Sequence, residues 1–351
     1  AAALGLQVVS GTEATTTTAT SGETAAAPEA TATAAATATA TQATTADAAT
    51  RVELNIFGDL IIDATSGIDV SGKGYLGSRC DGPARTLGNT TEGGSTGWSG
   101  GSYGGEGVED PDPNAGANAV YGDFTHPNEL GSGGGCVVGY DYGGGYGGGL
   151  VRIGAATVLL NGFIRADGGG GGPGGSGGGL YLDTGTLSGG GSISAQGGDG
   201  GSSSGYGGGG GRIAIVYGDM SGFAPSQISA AGREYDGGGA GTIYLRQREQ
   251  LYGDLIVDNN GVVSEGYTTP LRSVGPGVST TLTATTLEDT AANFPVPDPA
   301  TGALGLIGLE LNPNTAQNRT FTIVANTATT LAIDPADGDL TEVATVGDAY
   351  I

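Results

Sequence analysis

The residues of this chain that could do chemistry are few. His126 is the only histidine in 351 residues, so a catalytic triad, an imidazole metal site or an imidazole proton shuttle would each have to converge on it. Pro127 follows it in a turn-like context, which favours a hydrogen-bonded loop residue. The run DPDPNAG sets Asp110, Asp112 and Asn114 at alternate positions ahead of Gly116. That is the oxygen-ligand spacing that opens a calcium loop, and calcium is the one cofactor the sequence suggests. The glycine falls one residue late, the distal glutamate is missing and Pro111 and Pro113 stiffen the run, so a solvated acidic turn competes with the metal. Asp334, Asp337 and Asp339 in DPADGDL pose the same choice. Cys80 and Cys136 flank one long insertion. In an oxidising compartment they are expected to form a disulfide, and otherwise to be two buried thiols.

Paired carboxylates could still do acid–base work without a histidine, and parallel β-helices include polysaccharide lyases and hydrolases. Such sites need clustered acids with a basic residue on one face. Arg152, Arg165, Arg212 and Arg233 each adjoin a strand end and are expected to pair with an acid of a neighbouring repeat, so an enzyme is disfavoured. Asn89-Thr90-Thr91 and Asn318-Arg319-Thr320 match glycosylation acceptors, a short pattern that matters only in a host that glycosylates.

Charge narrows the partners. Twelve basic residues against 36 acidic ones give a net charge of −24, which repels nucleic acid and anionic lipid. Lys73 is the only lysine, so Lys–Asn isopeptide stitching along the chain is excluded. No apolar run approaches the roughly 20 residues a membrane helix needs. The first residue is Ala and not Met, so a processed product is expected.

The elements that must position these residues are short strands between glycine tracts. Seventy-four glycines with only 14 prolines and no Gly-X-Y period exclude collagen. Residues 1–50 are mostly Ala and Thr, and Thr31, Thr33, Thr37, Thr39 and Thr41 share one parity. This suits an extended strand, with an unstructured, glycosylated stalk as the alternative. The apolar start, with Leu4, Leu6, Val8 and Val9, reads as a strand that could add to another subunit's sheet edge.

From 51 to 261 a repeat emerges. One strand type follows a glycine, in LVRI (150–153), LYLD (180–183), RIAIVY (212–217) and TIYLRQ (242–247). A second follows in FIRAD (163–167), SISAQ (192–196), QISAA (227–231) and LIVD (255–258). The segment 54–74 starts the series. A unit of about 30 residues with two strands can bury its apolar face only by stacking on its neighbours. The expected fold is all-β: a right-handed parallel β-solenoid with glycine-rich coils. The tracts Gly168–Gly172, Gly177–Gly179, Gly207–Gly211 and Gly237–Gly239 return once per unit. Ordering glycine is entropically expensive, so they are either flexible loops or a layer of polyproline-II-like segments bonded to one another without side chains between them. Residues 75–147 read as an insertion projecting from one coil, where binding functions usually sit. From 262 to 351, TTLTATTL (280–287), GLIGLEL (305–311), RTFTIVA (319–325) and TTLAIDP (329–335) read as antiparallel strands of a small β-sandwich or barrel, with a turn at Asn326-Thr327-Ala328.

The runs YGDFTHPNELGSGGG (121–135), GGGLVRIGAATVLLNGFIRADGG (147–169), GGLYLDTGTLSGGGSISAQGG (178–198) and GAGTIYLRQ (239–247) resemble the glycine-rich repeat region of very large bacterial cell-surface, adhesin-like proteins. The segment 319–351 is similar to a β module that alternates with such regions. The resemblance implies surface exposure and modular repetition, with no catalytic motif to carry over. Together with the composition, it leads to the expectation of a secreted structural subunit of a filament or surface layer, self-associating head to tail into a homopolymer through β-strand contacts. The alternative is an adhesin that binds glycans through Tyr and Trp98 of the insertion. Ice binding is disfavoured, because the strands carry no regular Thr-x-Thr array.

Overall fold

The computed structural model describes residues 17–18, 36–42, 50–136, 143–201, 206–233, 237–250, 252–264, 266–297 and 305–351. Leu4, Leu6, Val8 and Val9 lie outside them. The chain divides into two compact units, Ala1–Val120 with Phe124–Thr269, and Tyr121–Asp123 with Pro270–Ile351. The first unit thus extends past residue 261.

The first unit is all-β. Its twelve strands are β1 (Thr17–Thr18), β2 (Ala36–Gln42), β3 (Thr50–Ile62), β4 (Gly67–Asp69), β5 (Leu150–Leu160), β6 (Phe163–Arg165), β7 (Gly179–Ser188), β8 (Ser192–Ser194), β9 (Arg212–Gly222), β10 (Ile228–Ser229), β11 (Thr242–Gln247) and β12 (Asp254–Ile256). They form an eight-stranded sheet in the order β1-β2-β3-β5-β7-β9-β11-β12 and a four-stranded sheet in the order β10-β8-β6-β4. Within the large sheet β3, β5, β7, β9 and β11 pair in parallel. The smaller sheet is parallel throughout. Parallel neighbours demand crossovers, and each turn between a long strand and the following short one supplies half of one.

The register builds the core. Val52, Val151, Leu180, Ile213 and Ile243 stack one above another across the large sheet, as do Leu54, Ile153, Leu182, Ile215 and Leu245. The smaller sheet adds Ile68, Ile164, Ile193 and Ile228. All are buried in one cluster. Each fully buried aliphatic side chain contributes about 1.5–3 kcal/mol relative to exposure. A one-residue slip would turn a whole stack outward, so burial fixes the register. A bulge between Ile56 and Asp59 of β3 absorbs one extra residue and leaves Phe57 87% exposed.

One strand assignment from sequence is corrected. LIVD (255–258) carries the motif of the second strand type, yet β12 turns back and pairs antiparallel with β11, Ile243 opposite Ile256 and Leu245 opposite Asp254. Among the described residues of this unit no further long strand follows for it to cross over to, so the chain closes the sheet edge instead. At the other edge β2 pairs antiparallel with β3 from Ala36 opposite Ile56 to Gln42 opposite Thr50. Antiparallel strands therefore flank the parallel ladder on both sides, and both of its edges are covered.

The glycine tracts are ordered against one another. In segment 173–178 the N–H groups of Gly174 and Gly177 donate to the carbonyls of Tyr206 and Gly209, those of Gly175 and Gly178 to Gly169 and Ala166, and that of Ser176 to Ser132. Its carbonyls at Pro173 and Ser176 accept from Gly145 and Gly148, and those at Gly174 and Gly175 from Gly101 and Gly198. Each neighbour is met again three residues later. A β-strand points alternate bonds to two sides; here they fan out to segments all around, with the three-residue repeat of a polyproline-II helix. Segment 144–149 repeats the pattern, Gly144 and Gly147 donating to Ser78 and Tyr75. None of Gly144–Gly149, Gly174–Gly178 or Gly207–Gly211 has positive φ. Glycine is used there for its missing side chain, since a Cβ on Gly147, Gly178 or Gly211 would overlap a carbonyl of the adjoining segment.

The insertion is corrected in the same way. Its stretches 99–108 and 131–135 do not project; Gly101, Gly104, Gly131 and Gly134 donate to Gly174, Gly210, Gly148 and Gly145, so the insertion supplies rods of the lattice. Its serines replace apolar packing. Ser95, Ser99, Ser102 and Ser132 are buried, as is Ser176 of segment 173–178, and Ser132 meets Thr86 Oγ1 at 2.8 Å while its N–H donates to Ser176 Oγ at 2.8 Å. Asn118, also buried, accepts from Ser95 Oγ and the Ser102 N–H and donates to the Ser102 and Ala119 carbonyls.

The second unit is also all-β. It holds β13 (Gly277–Val278), β14 (Thr281–Leu282), β15 (Thr286–Glu288), β16 (Glu310–Leu311), β17 (Phe321–Asn326), β18 (Thr330–Ile333) and β19 (Ala349–Tyr350). A five-stranded antiparallel sheet runs β14-β15-β18-β17-β16, and β13 pairs with β19. TTLTATTL is a hairpin and not one strand, because Thr283 caps a turn through the Thr286 N–H. The expected turn after Asn326 is present, closed by Thr327 N–H on the Thr330 carbonyl at 2.9 Å. Leu287, Leu306, Phe321, Ile323, Leu331 and Tyr350 are buried in its core.

The lattice makes a paired prediction. Gly177→Ala drives a methyl into the Ala195 carbonyl and the Gly211 amide and should destabilise the first unit by about 1–3 kcal/mol or more. Gly170→Ala, whose new Cβ finds its nearest neighbour at 3.6 Å, should change stability by less than about 1 kcal/mol. Chemical denaturation of both variants measures the difference.

Candidate functional site

The richest set of polar and aromatic side chains outside the core lies on the outer face of the large sheet. Register sets Glu53, Arg152, Tyr181, Ala214 and Tyr244 in one row across β3, β5, β7, β9 and β11. Residues 124–129 of the insertion run across this row. Phe124 meets Tyr244 edge-on with centroids 5.7 Å apart, and His126 stacks on Tyr181 at 5.5 Å and 23°. Asn128 Oδ1 accepts from Arg152 at 2.8 Å and from Arg51 at 3.2 Å. The Arg152 guanidinium also stands over the Tyr181 ring at 5.1 Å, a cation–π contact. Arg51 pairs with Glu53 at 2.9 Å, and Arg248 pairs with Asp183. The segment crosses the strands and ties successive ones together. A stack, an amide clamp and ion pairs fasten the strands here; the groups face one another across strands.

Burial perturbs four groups of the first unit, among them Tyr181, whose hydroxyl it raises. Desolvation is the leading cause for each. It raises the Glu129 carboxyl above its ordinary value and pushes the Tyr75 hydroxyl, which the carboxylate also disfavours as phenolate, up to about 12. The Asp167 carboxyl is raised by desolvation too, although it accepts from the Gln196 N–H at 2.7 Å and Ser194 Oγ at 3.0 Å.

The sequence-marked residues do not converge. Asp110 accepts from the N–H groups of Trp98 and Asp112, and Asp112 accepts from the N–H and side-chain amide of Asn114. The run is a chain of side-chain-capped turns. The hydrogen bonds to Asn114 hold the Asp112 carboxyl below its usual range. Asp334 and Asp339 cap short 3-10 turns through Ala336 and Thr341, and Asp337 accepts from the Thr322 N–H. Among the described residues no group of three or more His, Cys, Asp or Glu is placed to hold a metal ion, and no helix is long and apolar enough to cross a membrane. Both Asn89 and Asn318 are exposed.

The four repeat arginines do not act alike. Arg233 pairs with Asp199 of the preceding repeat, as expected. Arg165 lies over Phe163 at 4.2 Å, and Arg212, only 1% exposed, over Tyr103 at 5.5 Å with a further bond to Thr242 Oγ1. Aromatic faces, which linear spacing does not reveal, serve where acids were expected. The 124–129 segment had only His126 as a signal; its partners are set by the register of distant strands.

Cys80 and Cys136 are joined by a disulfide, 56 residues apart in sequence with Cα atoms 5.0 Å apart. It closes the insertion around the lattice stretches 99–108 and 131–135. No family model, no curated sequence and no solved structure matches this chain.

Two outcomes are expected. Cys80→Ser with Cys136→Ser should lower stability by about 4 kcal/mol in the chain-entropy model for a loop of this length, measured by denaturant unfolding. The Asp167→Asn variant tests the raised carboxyl. Because its folded pKa lies above the unfolded one, the wild-type contribution is fully present below the unfolded value and lost as pH rises through the folded value. The variant should therefore flatten the decline of stability across that acidic window, read as Tm against pH.

Proposed function

We propose that this chain is a structural subunit of an extracellular filament or cell-surface layer, built as a right-handed parallel β-solenoid with a bonded glycine layer along its coils and carrying a small antiparallel module. The observation behind this reading is the lattice itself. Amide-to-carbonyl bonds between glycine segments, with no side chain between them, extend a stiff layer outward from the aliphatic stacks that align it. Such a material suits a chain that must hold its shape while exposed on all sides. The strong negative charge keeps it solvated, and the disulfide suits an oxidising compartment. In this reading the subunit associates with copies of itself through β-strand contacts.

An adhesin acting through the insertion has less support. Tyr75 and Tyr103 are buried and Trp98 is half-buried, so these rings are poorly placed to stack on sugars, and much of the insertion is engaged in the lattice.

Electron microscopy of the purified chain, diluted and then concentrated, tests the proposal. Elongated particles that join into fibres or sheets on concentration are expected; compact single particles at every concentration would overturn it.

A further inference from the structure

The edge of β3 already displays the kind of partner it takes. As the terminal strand of a parallel ladder, β3 presents a row of N–H and C=O groups that must be covered. The chain covers it with β2, seven residues in antiparallel register, Thr37 opposite Asn55, Thr39 opposite Glu53 and Thr41 opposite Arg51. The sequence of β2 is ATATATQ. A shift of two residues puts threonine where threonine was, so side chains specify this register weakly, the condition under which strands slip and exchange. Only residues 43–49 separate β2 from β3. Fully extended, such a stretch spans roughly 23–25 Å, several times the ~4.8 Å between strands.

We propose that β2 is an exchangeable cap, and that the β3 edge binds the same strand of a second copy of this chain, which links subunits by reciprocal or successive strand exchange. The proposal rests on the self-associating reading above and supplies its mechanism. Contacts in cis and in trans are the same ladder bonds, so the balance is set by concentration. A short tether gives the cis strand an effective concentration on the order of millimolar. The chain is then monomeric when dilute and links when crowded, as on a surface. This reverses a simple donor-strand expectation: disabling the N-terminal strand opens a docking edge as well as removing a donor.

Two full-length variants and a fluorescent peptide of residues 31–42 test it. Thr37→Pro with Thr39→Pro removes the ladder N–H groups of β2. This variant should bind the peptide saturably, at least tenfold more tightly than the wild type, whose edge is occupied. Thr39→Cys with Glu53→Cys, at positions directly opposed and so within disulfide reach, should lock the cap in cis when oxidised. The locked protein should bind no peptide and remain monomeric by light scattering at concentrations where the wild type associates. Failure of a folded proline variant to bind peptide overturns the proposal. So does association of the locked protein equal to that of the wild type, even if the proline variant does not fold; that outcome leaves a filament built through other contacts. Peptide binding by the proline variant alongside a wild type that never associates would support the exchangeable edge and overturn the filament reading.

Discussion

The structure of the first unit depends on the sideways amide–carbonyl bond between glycine segments. In a sheet, side chains stand above and below the plane and limit bonding to two neighbours. Where Cβ is absent, an extended segment can be approached from all around, and segment 173–178 bonds to chain on every side. Net gain per bond is about 1 kcal/mol, against a backbone ordering cost of about 1–2 kcal/mol per residue. Such a lattice is marginal by itself. It holds because the aliphatic stacks of the adjoining sheets fix the ends of each glycine segment, so that the coils arrive already aligned.

That coupling explains the insertion and the disulfide. Stretches 99–108 and 131–135 have little apolar surface to bury, and without the coil tracts they would have no partners. Within the lattice their amides find carbonyls, Ser99 and Ser102 accept from the Asp110 and Gly107 N–H groups, and Cys80–Cys136 shortens the excursions of the unfolded loop. On the outer face of the large sheet, residues 124–129 repeat the theme with aromatic and amide contacts. Both arrangements join strands distant in sequence, and both serve rigidity.

Parallel stacking also creates ends. A ladder whose strands are nearly identical is a template for further strands, and the chain answers at each side with an antiparallel one. At β11 the answer is β12, paired antiparallel with it from Ile243 opposite Ile256 to Leu245 opposite Asp254. At β3 it is a low-complexity strand whose register its own side chains barely specify.

Much of this architecture was legible in the residues. Alternation in SISAQ and LVRI, the return of the same strand pair about every 30 residues, and glycine tracts in step with them are local consequences of pleat and stacking. They determined the all-β class and the two strand types, and left the glycine tracts open between flexible loops and an ordered layer. Only tertiary structure decided which partners those elements take. LIVD has the local pattern of an inner strand, but its neighbour in space sends it antiparallel to the edge. Arg165 and Arg212 meet aromatic rings because register, set by burial far away, brings those rings to them. The insertion reads as a loop because it lacks apolar periodicity, and its order comes wholly from bonds to segments distant in the chain. A hydrogen-bonding backbone without side chains leaves no mark of its partner in the sequence, since every glycine offers the same N–H and C=O; geometry alone selects among them.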